Sequence, residues 1–497
     1  MSYTETFVDS TGQSKTLELR FHREARLRYR AESVDELFAD DYKLLREYFE
    51  HHMTIQQPRL QELYDYAEGN NHCISRKVRR QEKDMSDNRA VHNFGKAIST
   101  FKQGYLVGNP IRVDYDGEED TKNSLKQIEN EGNFHHLNRG LVLDLSKCGR
   151  AYDLVYRAKD DSTRTVQLDP RYTFVVFDTT LENHSLVGVR YYAKSQFVDD
   201  KKIVVVYTST KLITFEYDGQ LTELSMSDHP FGLVPVTEYI NTNGGMGDYE
   251  TELSLIDLYD ASQSDTANYM QDLSDAILAI LGRVSFPTYV DSPDKAIEYM
   301  RKMRKARLMN LEPPVDEEGK EGKVDAKYLY KQYDVQGTEA YKKRVVNDIH
   351  KFTNTPDMTD NNFAGVQSGE ALKWKVFGLD QERVDMQALF EQSLRRRYRL
   401  IAAVGKVAKE ITDFDVTKLK FTFTPNLPKS LQEKIDAFKN LGGELSKATV
   451  MTITDIVDDP KAELEKIQNE EQSASRLSRT IAQNERMADK DVMVDGQ

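Results

Sequence analysis

The sequence predicts an α+β chain that is mainly helical, and three observations carry that prediction. Apolar residues recur at helical spacing on both sides of the chain's middle. Between Ala151 and Asp218 the period changes to two, with Val, Tyr, Thr and Phe alternating between turn residues. Two stretches, 251–281 and 369–410, keep helical spacing over roughly 46 and 63 Å at about 1.5 Å per residue, long for globular helices.

The elements follow in order. Residues 33–68 read as helix: Ser33 and Glu36 form a capping box, Leu37, Leu44, Leu45, Tyr48 and Phe49 are regularly spaced, and Pro58 interrupts. A second helix, 88–106, aligns Val91, Phe94, Ile98, Phe101 and Tyr105 and stops at Gly108-Asn109-Pro110. Residues 121–148 read as helix again. The stretch 151–218 predicts one antiparallel sheet of about five short strands, cut at Asp160-Asp161, Asp169-Pro170 and Asp218-Gly219. The loop 241–248, NTNGGMGD, reads as a conformationally free joint. In 251–281 an apolar face from Leu255 to Ile280 opposes Asp257, Asp260, Asp272 and Asp275. Residues 283–335 form a small mixed module with a basic helix, 293–307, and a charged loop, 312–325. Helix 337–352, a polar loop 353–367 and helix 369–410 come next, with Ser368 as cap and Gly378 as kink point. Strand 419–424 precedes a helical end, with a capping box at Ser430 and Glu433 and an amphipathic helix over 460–485.

Composition narrows the function. The 497 residues hold 68 Lys and Arg against 82 Asp and Glu, a net charge of −14, and 39% are hydrophobic. That is a globular composition, long enough for about three domains. No run approaches the ~18–20 apolar residues of a membrane span, and the opening MSYTETFVDSTGQ suggests no export signal. Cys73 and Cys148 make no disulfide framework and fit a reducing interior. The acidic total excludes a nucleic-acid coat that works by bulk charge. The charge is localised, however. Residues 212–282 contain no Lys or Arg and 13 carboxylates, leaving −1 for all the rest. Basic residues gather at 20–30, 76–83, 301–307 (RKMRKAR) and 395–399 (RRRYR), which suggests an assembly with distinct electrostatic surfaces.

Catalytic signatures are missing. NTNGGMGD lacks the Lys-Ser/Thr of a phosphate-binding loop and leads into an acidic helix. The adjacent pairs His51-His52 and His135-His136 cannot share one face, and His72-Cys73 has no second ligand pair at metal spacing. No catalytic residue, cofactor or metal ligand is assigned. Trp374 reads as a packing anchor. Carboxylates such as Asp257/Asp260 or Asp357/Asp360 leave open a Mg²⁺-dependent nuclease, and a monomeric scaffold without a channel is the other alternative.

The run HPFGLVPVTEYINTNGGMGDYETELSLIDLYDASQSDTANYMQDLSDAILAI, 229–280, resembles the portal proteins of tailed bacteriophages, in the branch of long-tailed phages of Gram-positive hosts. Residues 88–111, 149–178, 355–380 and 423–467 resemble, in the family's order, its N-terminal helix and Gly-Asn-Pro turn, its wing sheet, the loop and helix at the ring centre, and the segment leading to the crown. The resemblance implies a portal-type fold: wing 1–250, stem helix 251–282, clip 283–335, second stem helix 336–352, tunnel loop 353–367, a long kinked helix and return strand 368–427, and crown 428–497. It also implies a dodecameric homo-oligomeric ring at one capsid vertex, assembled in the host cytoplasm and kept in the virion as head–tail connector. Double-stranded DNA would be packaged through the ring by the terminase large subunit, retained and ejected. A head-completion adaptor and the major capsid and scaffolding proteins would be further partners, and no membrane is involved. Residues 1–60 and the loop 312–325 depart from the family pattern. In the tunnel loop Asp360, Asn361, Asn362, Phe363, Ala364, Gly365, Val366 and Gln367 are expected to face DNA. Carboxylates on a channel wall repel phosphates and keep DNA sliding, so Asp257, Asp260, Asp272 and Asp275 are expected to line the channel. The clip's basic helix, with Arg301, Lys302, Arg304, Lys305 and Arg307, is expected to touch DNA or an acidic partner.

Overall fold

Ser33 starts α1 (Val34–His51), as its sequence predicts, but Ala39 to Tyr42 leave helical φ/ψ and kink it in the middle. Its Oγ accepts the Glu36 N–H at 3.2 Å, while the Glu36 carboxylate reaches back to the Glu32 N–H at 2.6 Å. The computed structural model describes residues 3–8, 10–11, 13–76, 86–195, 201–272, 277–281, 283–284, 286–306, 311–315, 319–329, 334–357, 376–426, 445–454, 463–464 and 466–470. They fall into two units, Met1–Pro425 and Asn426–Gln497.

Ahead of α1 lie a hairpin of β1 (Tyr3–Val8) and β2 (Ser14–Leu19) and a short β3 (Tyr29–Ala31). One π turn, His52–Gln56, joins α1 to α2 (Gln57–Ala67). Pro58 stands in the first turn of α2, directly after the π turn, so the helical run from α1 continues past it with a local irregularity rather than an end. A short α3 (His72–Arg76) follows, then α4 (Phe94–Val107), capped by the Asn93 side chain. The predicted helix 88–106 therefore begins later than expected, because 88–93 is not helical. After β4 (Arg112–Tyr115) the predicted helix 121–148 divides into α5 (Glu119–Glu131) and α6 (Phe134–Cys148). Asn133 breaks it with a left-handed φ of 44° and caps the second half.

The β-rich stretch builds two sheets rather than one. Its strands are β5 (Arg150–Arg157), β6 (Thr163–Leu168), β7 (Thr173–Asp178), β8 (Ser185–Ala193), β9 (Lys202–Tyr207), β10 (Lys211–Tyr217), β11 (Leu221–Asp228) and β12 (Val236–Ile240). Six strands run in the order β11-β10-β9-β8-β7-β3, antiparallel except where β3 joins β7 in parallel. β12-β5-β6 forms a separate antiparallel sheet. Leu37, Leu45 and Phe49 of α1 pack on Phe174, Val189, Val204 and Phe215 of the larger sheet.

The predicted helix 251–281 ends early. α7 (Leu253–Asp272) stops, and the apolar run Ile277–Leu281 is strand β13, paired antiparallel with β16 (Asp325–Leu329). A short apolar run fits either state by periodicity, and here a partner strand decides. Between them lie the short pair β14 (Arg283–Val284) and β15 (Leu311–Glu312), and α8 (Pro293–Ala306). α9 (Val335–Phe352) packs on α7 through Val345 and Ile349 against Leu253 and Ile256. α10 (Phe377–Val407) returns to the body, and β17 (Leu419–Thr422) pairs with β4. Gly378 lies in the first turn of α10, and residues 358–375, where the predicted helix would begin, lie outside the described residues. The second unit contains α11 (Lys447–Thr454) and helical residues at 463–464 and 466–470. The expected capping box at Ser430 lies outside the described residues, as does Trp374. No described helix is long and apolar enough to cross a membrane.

α10 is held to the body by a buried charge. Arg397 and Asp153 are both fully buried and bonded at 2.6 Å. Asn138 accepts from Arg397 at 2.7 Å and Tyr239 donates to Asp153 at 2.7 Å. Removing one partner strands the other in a medium that cannot solvate it. Asp153→Ala is expected to lower stability by about 3–5 kcal/mol in urea unfolding, and Asp153→Leu with Arg397→Met to regain most of it.

Asp144 of α6 is buried, accepting from the Tyr64 hydroxyl and from Gln167 Nε2 at 2.5 Å. Burial pushes its carboxyl up to about 6, against the pull of those two donors. Folding thus favours the protonated form. The contribution is complete below the unfolded value near 4 and is lost as pH rises through about 6. Asp144→Asn imitates that form, so its stability relative to wild type is expected to improve by about 2–3 kcal/mol between pH 4 and pH 7.5, read by thermal melts.

Candidate functional site: the root of α7 and the flanks of the central loop

The loop before α7 is pinned rather than free. Asn241 donates to the Met246 carbonyl at 3.0 Å and to Asp248 at 2.8 Å, and Asp248 N–H bonds the Ser146 carbonyl at 2.8 Å. Gly149 and Gly247 permit the contact. A Cβ on Gly149, whose φ is +79°, would stand 2.3 Å from the Gly245 oxygen, and one on Gly247 would stand 2.4 Å from the Lys147 oxygen. The glycines serve close approach of two backbones, which corrects the expectation of a joint. Glu250 fixes the loop's far end: Arg59 holds it with two bonds, one of 2.7 Å, and Arg26 adds a third at 2.9 Å. The Glu250 carboxyl is buried, but the guanidinium of Arg59 outweighs that and holds it below its usual range.

The acidic residues of α7 continue the pattern. Asp257 accepts from Arg20 at 2.7 Å and from the Tyr66 hydroxyl at 2.5 Å. Asp260 is fully buried, accepting from the His92 N–H at 2.9 Å, His92 Nδ1 at 2.8 Å and Asn71 Nδ2 at 2.7 Å. Burial pushes the Asp260 carboxyl up, while His92 and Asn71 pull it back. Arg20 keeps its charge because Tyr66, Asp257 and Glu62 together overcome its desolvation. Both carboxylates turn into the protomer, and the expectation that Asp260 lines a channel is corrected by its burial. Asp272 ends α7, and Asp275 lies outside the described residues. The inward stripe is Leu253, Ile256, Asp260, Ser264 and Asn268. Its helical spacing is present in the sequence, but its polar members disguise it as a solvent face.

The tunnel-loop residues Asp360 to Gln367 lie outside the described residues, but their flanks are firmly held. Asn354 donates to Glu382 at 2.7 Å, His350 Nδ1 bonds the Thr355 carbonyl at 3.0 Å, and Thr355 N–H bonds the His350 carbonyl at 3.0 Å. The other Glu382 oxygen accepts from Lys102 of α4 at 2.7 Å, and Asp248 stands 3.5 Å from the same ammonium. Burial works against the Lys102 charge, yet the carboxylates of Asp248 and Glu382 raise its pKa. Tyr105 donates to Asp380 at 3.0 Å, and Arg383 bonds Asp380 at 2.6 Å. A cavity of about 480 Å³ opens beside Lys102, bordered by Tyr105, Asn241, Leu379 and Met386. Sequence reading missed Lys102, Arg20, Asn71 and His92. Only a buried-looking lysine on the apolar helix α4 hinted at the first.

In the inserted module Arg301, Lys302 and Lys305 of α8 are exposed, and Lys302 pairs with Glu298 at 2.8 Å. The side chain of Arg304 and all of Arg307 lie outside the described residues. Among the described residues no three His, Cys, Asp or Glu side chains converge as metal ligands.

Two paired helices with a β-rich module between them, and a long helix returning to a two-sheet body, make the portal-type α+β fold that the resemblance implies. The chain belongs to the family of SPP1 Gp6-like phage portal proteins, whose model matches residues 46–477. The portal protein of Clostridium phage phiCD119 is 22% identical over 416 residues, 79% of this chain and 87% of that one. The portal protein of Bacillus phage SPP1 is 21% identical over 430 residues, 80% of this chain and 79% of that one. Similar solved structures include the neck of an empty gene transfer agent particle (14% identity, 73% of this chain, 90% of that chain, TM-score 0.42) and the virion of a native gene transfer agent particle (12%, 80%, 93%, 0.39). The family is a structural one of the phage particle.

Lys102→Met leaves Glu382 and Asp248 without their cation. It is expected to lower stability by about 1–3 kcal/mol and to speed limited proteolysis within 353–376, read by mass spectrometry of the fragments.

Proposed function

We propose that copies of this chain close into a ring, dodecameric in the virion, that forms the DNA channel at one capsid vertex. α7 and α9 are the stem, residues 277–329 belong to the clip, and the segment after Phe352 is the tunnel loop. Residues 1–250 with α10 and β17 are the wing, and the chain beyond 428 is the crown. The family match over residues 46–477 carries this reading. Double-stranded DNA is drawn in by the terminase large subunit, held, and later released. The clip meets terminase first and a head-completion adaptor afterwards, and the outer body meets capsid and scaffolding proteins during assembly in the host cytoplasm.

Asn361 to Val366 come nearest the DNA, because a short segment between two clamped flanks can reach inward without loosening the body. Lys102, Glu382 and Asn354 supply that clamp. Asp272 and Asp275 remain the carboxylates that oppose the phosphates and keep the wall from gripping them. The exposed Arg301 and Lys305 present a cationic clip surface to DNA or to an acidic partner.

Native mass spectrometry of the purified chain is expected to give a closed ring, a large integer multiple of 57.2 kDa. A 57.2 kDa monomer at micromolar concentration would sink the proposal. Deleting 360–366 is expected to leave the ring intact and to lower the DNA packaged per particle. Unchanged packaging and ejection would remove the loop's role.

A further inference from the structure

The basic run on α10 divides by what each arginine meets. Arg397 is closed on Asp153, and Arg395 bonds Glu391 at 2.7 Å. Arg396, half-buried between them, meets no carboxylate among the described residues. Its Nη2 donates to Ser185 Oγ at 2.6 Å and to the Val234 and Val236 carbonyls at 2.9 and 3.4 Å. Nη1 and Nε, which carry most of the guanidinium's donors, bond no described residue. Arg399, one turn on, and Lys406, about two turns further, are exposed on the same face and pair with no described carboxylate. Burial lowers the Arg396 pKa to about 10; Asp153 opposes the fall and the Arg399 charge adds to it. A half-buried guanidinium without a counter-ion is an incomplete site, and an oxyanion completes it.

The other side of the body carries the complement. Along β7, Phe174 and Val176 face α1, while Val175 and Phe177 face Val234 and Val236. In β5, Tyr152 and Leu154 turn to that inner layer, and Ala151, Asp153 and Val155 turn towards α10. The order of layers is therefore α1, larger sheet, smaller sheet, α10, with the two helices on opposite sides. On α1, Asp35, Asp40, Asp41 and Glu47 are exposed and pair with no described cation. Asp40 and Asp41 stand at the kink, with left-handed φ of 49° and 58°. Tyr42 holds the kink in place, donating to Glu223 at 2.9 Å and packing on Phe215. Non-glycine residues kept left-handed gather at working surfaces.

We propose that the Arg396, Arg399 and Lys406 face of α10 receives the carboxylates of α1, Asp40 and Asp41 foremost, from a second copy of this chain. The two faces are unlike in charge and lie on opposite sides of one protomer. Each copy therefore offers one and takes one, a head-to-tail contact of the kind that closes into a ring. Pairing like with like sets charge against the same charge, which disfavours a two-fold dimer. The contact rests on the ring reading and names the surfaces that build it.

The test is charge reversal at exposed positions of the full-length chain, read by native mass spectrometry and sedimentation over a range of protein concentrations. Arg399→Glu with Lys406→Glu sets carboxylate against carboxylate. It is expected to raise the concentration needed for rings by about tenfold or more. Asp40→Lys with Asp41→Lys is expected to do the same, and all four substitutions together to restore assembly. Rings that form as in wild type in both reversed pairs overturn the contact. Weaker DNA binding by Arg399→Glu with Lys406→Glu, with ring formation unchanged, gives the cations to nucleic acid instead and overturns it too. If circular dichroism shows that a reversed chain does not fold, Asp41→Cys and Arg399→Cys are cross-linked with a short bismaleimide in a Cys73→Ser background. Cys148 is fully buried and stays. The chain carrying both cysteines is expected to give a ladder of multimers, and either cysteine alone no cross-link. A cross-link from one alone, or no ladder from both, overturns the contact. A wild-type chain that stays at 57.2 kDa removes the ring reading itself, so the two failures are told apart.

Discussion

Carboxylates that leave water need a partner, and the placement of α7 follows from that. The stretch 212–282 has no Lys or Arg of its own. Glu250, Asp257 and Asp260 nevertheless go inside, so their counter-charges and donors come from the N-terminal residues Arg20, Arg26, Arg59, Asn71 and His92. These contacts cross 168 to 237 residues of sequence. Charge zones that are separate along the chain are thereby interleaved in space. The acidic block and the first basic cluster are two halves of one joint, which fixes where α7 leaves the body.

A second joint fixes where the chain comes back. α10 enters the body through the buried Arg397–Asp153 pair and an apolar seam of Phe390, Leu394, Tyr398 and Ile401 against α6 and Tyr239. Its first turn is tied to α4 through Glu382 and Asp380. The start of α10 is therefore anchored on α4, and Asn354 is tied to that anchor through Glu382.

Features fixed by local chemistry were legible in the sequence. The Ser33 cap, the helices at α9 and α10, the pairing-prone stretch after Ala151 and the basic helix α8 each rest on spacing or capping within a few residues. Features decided by distant partners were not. Ile277–Leu281 is apolar enough for either state, and β16, almost fifty residues on, makes it a strand. The division of the strands into two sheets depends on β3 and β12 arriving from outside the β-rich run. The glycines of 241–248 look like freedom in one dimension and are close packing in three. Asp260 on an otherwise polar helix face reads as solvated until His92 and Asn71 are placed beside it. The ordered resemblance to portal proteins carried the family correctly, while the assignment of individual carboxylates to a channel wall needed the geometry.

The central claim is that the acidic root of α7 is architecture, and that repulsion of DNA is left to carboxylates further along. A cryo-electron microscopy reconstruction of the assembled ring at side-chain detail tests it most directly. The account predicts that Asp257 stays with Arg20 and Tyr66, and Asp260 with His92 and Asn71, both turned away from the lumen. Finding those two carboxylates unpaired and lining the channel around the axis would contradict it.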